Sequence, residues 1–275
     1  MNEEKKFVRN LFLCRFAIFI CMTSVAIWFV FIPWKVNLLA MSESQLGFVF
    51  MIFGLGSLVS IQITNRILLR RYSAESLIRF SLPLFPITFF FWTSSSSYGY
   101  LLFYALPLSL CFGIINSSVL SATLNYEKLT GRRFMPMHQA SFSIGGLSGS
   151  VLGGILMNFI ENPEISILFV SVSSFISIIF LVVKRVVCLE PINEAIEASM
   201  PSRLSLVLGT MAAINLGTVG IILDWSALWL TREFSVAAAL GGSIIFAFNS
   251  GEIISRVSGE KLINRFGEKV VGTYF

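Results

Sequence analysis

Apolar residues along this chain gather in long runs, separated by short polar stretches rich in Lys and Arg. A helix needs about 20 mostly apolar residues to cross a bilayer, because every backbone N–H and C=O must be satisfied internally there. Eight stretches meet that need: Leu11–Ile32, Gln45–Thr64, Ser76–Thr93, Tyr100–Leu124, Ser141–Ile160, Ile165–Val183, Leu204–Leu223 and Val236–Val257. The third carries Arg79, Pro83 and Pro86 and is expected as a kinked span, since neighbouring helices can re-satisfy carbonyls that proline frees. The run after "MNEEKKFVRN" exceeds the core of a signal peptide and lacks a small-residue cleavage site, so it is expected as a retained first helix. The closing "VVGTYF" reads as the opening of a ninth span.

Composition turns these runs into a class. Of 275 residues, 55% are hydrophobic and only 13% charged, against about 25% charged in soluble domains. Phe alone occurs 27 times, and the mean hydropathy is +0.81. The fold class expected is an all-α integral membrane protein. Cys14, Cys21, Cys111 and Cys188 fall in or near apolar runs without a C-x-x-C, and His138 is the single histidine. Neither a disulfide framework nor a metal site is indicated, and no cofactor is expected.

The net charge of +5 matters through its placement. With a cytoplasmic N-terminus, every Lys and Arg falls in an inside segment except Lys35 and Arg232 in outside loops and Arg15 and Arg79 within helices. This asymmetry follows the positive-inside rule, so the charges set topology and nucleic-acid binding is not needed to explain them. One inside loop is long: "KRVVCLEPINEAIEASMPSR" sets Glu190, Glu194 and Glu197 on one face of a short helix, and reads as a solvated linker. The expected organisation is a six-helix bundle over residues 1–184, a cytoplasmic linker over 185–203, and an incomplete second bundle over 204–275.

Several local stretches resemble the major facilitator superfamily. "SESQLG" leading into "GLGS" is similar to that family's second helix, and "TNRILLRRY" resembles its loop between helices two and three. There Asn65 stands where the family has Asp, and Arg66 is retained. "INRFG" repeats the theme at Asn264 and Arg265, in the register expected if helices seven and eight repeat one and two. "NYEKLTGRRFMPMHQASFSIGGLSGSVLGG" resembles a bacterial rhizopine-transporter-like branch, with Glu127, Gly131, Arg132, Phe142, Ser143 and Gly145 at its motif positions. That branch places a His four residues before the Ser, where this chain has Gln139 and, one residue earlier, His138. "DWSALWL" at Asp224 resembles the end of the branch's seventh helix. The resemblance implies twelve helices, so the chain is expected to be a member truncated after its eighth, with a separately encoded remainder as a candidate partner.

Particular residues carry the functional expectations. Gly145, Gly149 and Gly153 recur every fourth position on the fifth span, a spacing that lets helix backbones approach closely. The family implies the small-residue-rich eighth helix as their partner. Glu252 and Arg256 lie one turn apart in the eighth span, as a structural ion pair or as gating residues. Asp224, Arg66, Glu127 and Arg132 are further coupling or gating candidates. Ser24, Trp28, Asn116 and Asn215 lie on helices that line the central cavity in the family, which makes them candidate substrate contacts; interhelical hydrogen bonding and packing are the alternatives.

Together these features suggest a secondary transporter in the bacterial inner membrane, moving a small polar solute between two bundles. A non-transporting remnant is the alternative. A multipass membrane enzyme is disfavoured, because one histidine and scattered acids supply no catalytic cluster at a membrane face.

Overall fold

The computed structural model describes residues 3–160, 162–188, 202–267 and 270. Eight helical elements follow one another with no strand among the described residues: α1 (Glu3–Leu38), α2 (Glu43–Arg71), α3 in two halves (Ala74–Ser81 and Leu84–Thr93), α4 (Tyr98–Thr130), α5 (Met135–Phe159), α6 (Pro163–Val183), α7 (Arg203–Glu233) and α8 (Ser243–Phe266). The face expected at Glu190, Glu194 and Glu197 lies outside the described residues, as does the tail beyond Val270.

Local sequence explains where the helices start and bend. Ser42 and Gln45 form a reciprocal capping box at α2: the Gln45 N–H donates to Ser42 Oγ at 3.2 Å and the Ser42 N–H to Gln45 Oε1 at 2.9 Å. The halves of α3 meet at 41°, with Pro83 at the break. The Ser81 carbonyl, freed at that break, accepts the Cys111 thiol of α4 at 3.2 Å, so a neighbouring helix does re-satisfy it. α4 ends on Gly131 at φ +67°, the left-handed cap that glycine adopts without Cβ strain.

Among the described residues, six helices are long and apolar enough to cross a membrane, and the bent α3 pair makes a seventh when its halves are taken as one span. The eighth span expected at Val236–Val257 is corrected. A 3₁₀ turn at Ala238–Leu240 and the Gly241–Gly242 pair occupy its front, and the helix begins only at Ser243. α8 then runs into Glu252, Arg256, Glu260 and Lys261, too charged to count as a span by composition.

Burial ranks the helices. In its most apolar stretch α1 is 72% buried, whereas α2 is 22% and α7 only 6%. α1 is therefore the central post. α5 lies along it, α2 and α3 lie on α4, and α8 reaches the rest chiefly through α5.

Candidate functional site at the α5 seam

α5 carries small residues on two adjoining stripes, and each meets a different neighbour. A methyl group built on Gly145 would stand 2.7 Å from the Phe19 carbonyl oxygen, one on Gly149 2.7 Å from Ala26 Cβ, and one on Gly153 2.9 Å from Val30 Cγ2. All three partners belong to α1. This corrects the expectation that the Gly149 stripe faces the eighth helix. The adjoining stripe does that at Gly146, which abuts the Asn249 side chain, while Gly154 facing the Ala239 carbonyl and Gly242 on the Ser150 carbonyl pack the turn that leads into α8. Glycine on both stripes lets α5 touch two neighbours at backbone distance.

At one end of the α5–α8 contact a polar knot closes. Arg256 Nη2 lies 2.8 Å from Glu252 Oε1, one turn away on α8. The fully buried Ser143 hydroxyl of α5 donates to Glu252 Oε2 at 2.7 Å and accepts from Arg256 Nη1. Arg256 Nη1 also donates to the Gln139 carbonyl at 2.8 Å. The pair expected from the i, i+4 spacing thus forms and also bonds across to α5. Low exposure strengthens such a network and raises the cost of leaving one member unpaired.

The four candidate substrate residues do not converge. Ser24 bonds to the Ile20 carbonyl of its own helix at 3.1 Å and across to Ser174 Oγ of α6 at 2.9 Å, so its hydroxyl joins two helices. Trp28 packs on Trp92 of α3 with ring centroids 4.7 Å apart, and both buried indole N–H groups lack a partner. Asn116 is half-buried on α4. Asn215 is exposed and lines an open groove of about 900 Å³ between α7 and α8, which Thr218, Glu252, Ser255 and Arg256 also line. Asp224 is half-buried on α7.

The loop between α4 and α5 is held from two sides. Glu127 Oε1 accepts the N–H groups of Phe134 and, at 2.7 Å, Met135, placing a carboxylate on the positive end of α5. Arg15 of α1 donates to the Phe134 carbonyl at 3.2 Å and lies over its ring. Arg66 and Arg132 stand exposed, and Asn65 accepts from the Ser117 hydroxyl at 3.1 Å. His138 is buried, its Nδ1 without a partner.

One polar centre was missed by reading the sequence. Glu75, in the first turn of α3, is 95% buried and accepts the Tyr126 hydroxyl of α4. Asn10 of α1 donates to that hydroxyl at 3.3 Å and clasps the Val187 backbone, donating to its carbonyl at 2.8 Å and accepting its N–H at 3.1 Å. Four parts of the chain meet there. Glu75 lies one residue before the third apolar stretch, where hydropathy cannot separate a buried network from a solvated loop.

No family model matches the chain. It is similar to an uncharacterized MFS-type transporter of Yersinia pestis, 22% identical over 258 residues, which are 92% of this chain and 66% of that protein. It is also similar to an uncharacterized transporter of Sinorhizobium fredii, 25% identical over 245 residues, 84% of this chain and 61% of that protein. The chain thus spans less than two thirds of the length of either relative. The architecture is all-α and multi-spanning, an MFS-like membrane bundle.

Proposed function

We propose that the chain acts in secondary transport of the major facilitator type, carrying a small polar solute across the bacterial cytoplasmic membrane by alternating access. In this reading it belongs to the rhizopine-transporter-like branch, and its N-terminus lies in the cytoplasm, as the distribution of Lys and Arg favours. The observation that carries the reading is the division of labour on α5. One stripe seats glycine against the α1 backbone, a fit that resists displacement. The other meets α8 through small residues and a localised knot, a contact that can break and re-form as a unit. Rocking about a midplane site needs that combination of a rigid half and a separable seam. Asn215, in the α7–α8 groove, is the substrate contact best placed to meet an incoming solute.

The test is uptake of a panel of labelled small polar solutes into cells expressing the protein. Saturable uptake of at least one, weakened when Asn215→Ala is introduced, is expected. Uptake equal to vector-only cells across the panel counts against the proposal.

A further inference from the structure

The joint between α1, α3 and α6 holds buried polar groups that the rest of the chain leaves unsatisfied. Trp28 Nε1 of α1, Trp92 Nε1 of α3 and the Ser166 and Ser171 hydroxyls of α6 all lack a hydrogen-bond partner, and each of these residues is at most 5% exposed. Neighbouring hydroxyls behave differently. Ser24, Thr93 and Ser173 each donate to a carbonyl of their own helix, at 3.1, 2.7 and 3.1 Å. Register places the orphaned groups near one another. Asn10 bonds to Val187 beyond the end of α6, Ser24 bonds to Ser174 at 2.9 Å, and the Glu164 carboxylate is felt at Lys35, so α1 and α6 run antiparallel. One turn from the Ser24–Ser174 bond, towards Lys35, Trp28 comes level with Ser171. Trp92 enters from α3 with its ring centroid 4.7 Å from that of Trp28. Ser166 lies on the same buried face of α6, about a turn and a half further on.

An indole N–H can only donate, whereas a serine hydroxyl can also accept. Water answers both, accepting through its lone pairs and donating its two protons, and buried water typically makes about three hydrogen bonds to groups the fold leaves over. At membrane depth no bulk solvent is there to do so. We propose that ordered water is bound between α1, α3 and α6, accepting from Trp28 and Trp92 and donating to Ser171 and Ser166. The site lies inside the first six helices, apart from the α5 seam and from the α7–α8 groove. Its water is a fixed part of that half of the molecule and joins three helices with directional bonds. The inference does not depend on the transporter reading.

The experiment is X-ray radiolysis of the purified chain with no solute added, read by mass spectrometry. The pulse splits water wherever it is bound, and the hydroxyl radicals oxidise the side chains that touch it. Met22 is the internal control: it is 4% exposed on α1, packs towards α5 at Gly145, and carries a readily oxidised side chain. Trp28 and Trp92 should be oxidised about tenfold faster than Met22, although they are as deeply buried. Ser171→Val puts a methyl group where the hydroxyl was and should slow both tryptophans about fivefold without changing Met22, while Ser171→Thr keeps the hydroxyl and should stay fast. Trp28 and Trp92 reacting as slowly as Met22 in the native chain would mean a dry joint and overturn the proposal. Met22 reacting as fast as the tryptophans would mean general solvent entry and overturn it too, as would native rates at both tryptophans in Ser171→Val. The native comparison stands by itself if the valine variant does not fold.

Discussion

A single methyl group on Gly149 tests how tightly α5 is seated on α1. Built on the backbone, that carbon stands 2.7 Å from Ala26 Cβ and still closer to the Thr23 carbonyl oxygen. Unstrained carbon pairs sit at about 3.5–4.0 Å, so the two helices must part by roughly 1 Å. Neither obstacle is a flexible tip; one is backbone and the other a Cβ on α1, the most buried of the six spanning helices among the described residues. Overpacking of this kind costs about 1–3 kcal/mol. Gly149→Ala also gains helix propensity of about 1 kcal/mol, which would mask part of the loss. Gly54→Ala on α2, with nothing within 4 Å of its added methyl, receives that gain alone. The difference between the two variants isolates the packing cost. Thermal unfolding in detergent, followed by a thiol-reactive dye reaching the buried Cys14, Cys21 and Cys111, measures it. At about 2–4 °C per kcal/mol, Gly149→Ala should melt several degrees below Gly54→Ala. Equal melting temperatures would refute the close seating.

Three further outcomes follow from the polar contacts. Tyr126→Phe leaves the buried Glu75 carboxylate without its phenol donor and should cost about 1–3 kcal/mol in the same assay, while Asn10→Ala should instead loosen the Val187 backbone and speed labelling of the adjacent Cys188. Glu127→Ala removes the acceptor at the start of α5 and should cost about 1 kcal/mol; a change within error would show that the carboxylate does not cap that helix.

What the sequence made legible tracks what is local. Apolar runs of spanning length located seven of the helical stretches, and Pro83 marked the bend in α3 because a missing N–H acts within its own helix. The glycine period announced a close backbone approach but not its partner. Period four defines a face, and adjoining faces of α5 touch α1 and α8. Ser24 was legible as a polar group in an apolar run, but whether its hydroxyl serves a solute or Ser174 depends on α6, 150 residues away. The start of α8 was misjudged because apolar and small residues before Ser243 satisfy a hydropathy window without forming an α-helix. Glu75 escaped notice for the converse reason: its burial comes from α1, α4 and the exit of α6, none of which leaves a mark in the residues around it.

The central claim is that the contact between α5 and α8 must open and close for solute to move, and a reversible lock across it tests this most directly. A methyl group on Gly146 would lie 2.8 Å from Asn249 Cγ, so Gly146→Cys with Asn249→Cys brings two sulfurs within bonding reach in a background lacking the native cysteines. Uptake in membrane vesicles, measured with a solute identified by the panel, should proceed in the reduced protein, fall to the vector-only level on oxidation and return with reductant. Uptake that continues unchanged after the disulfide has formed would contradict the claim.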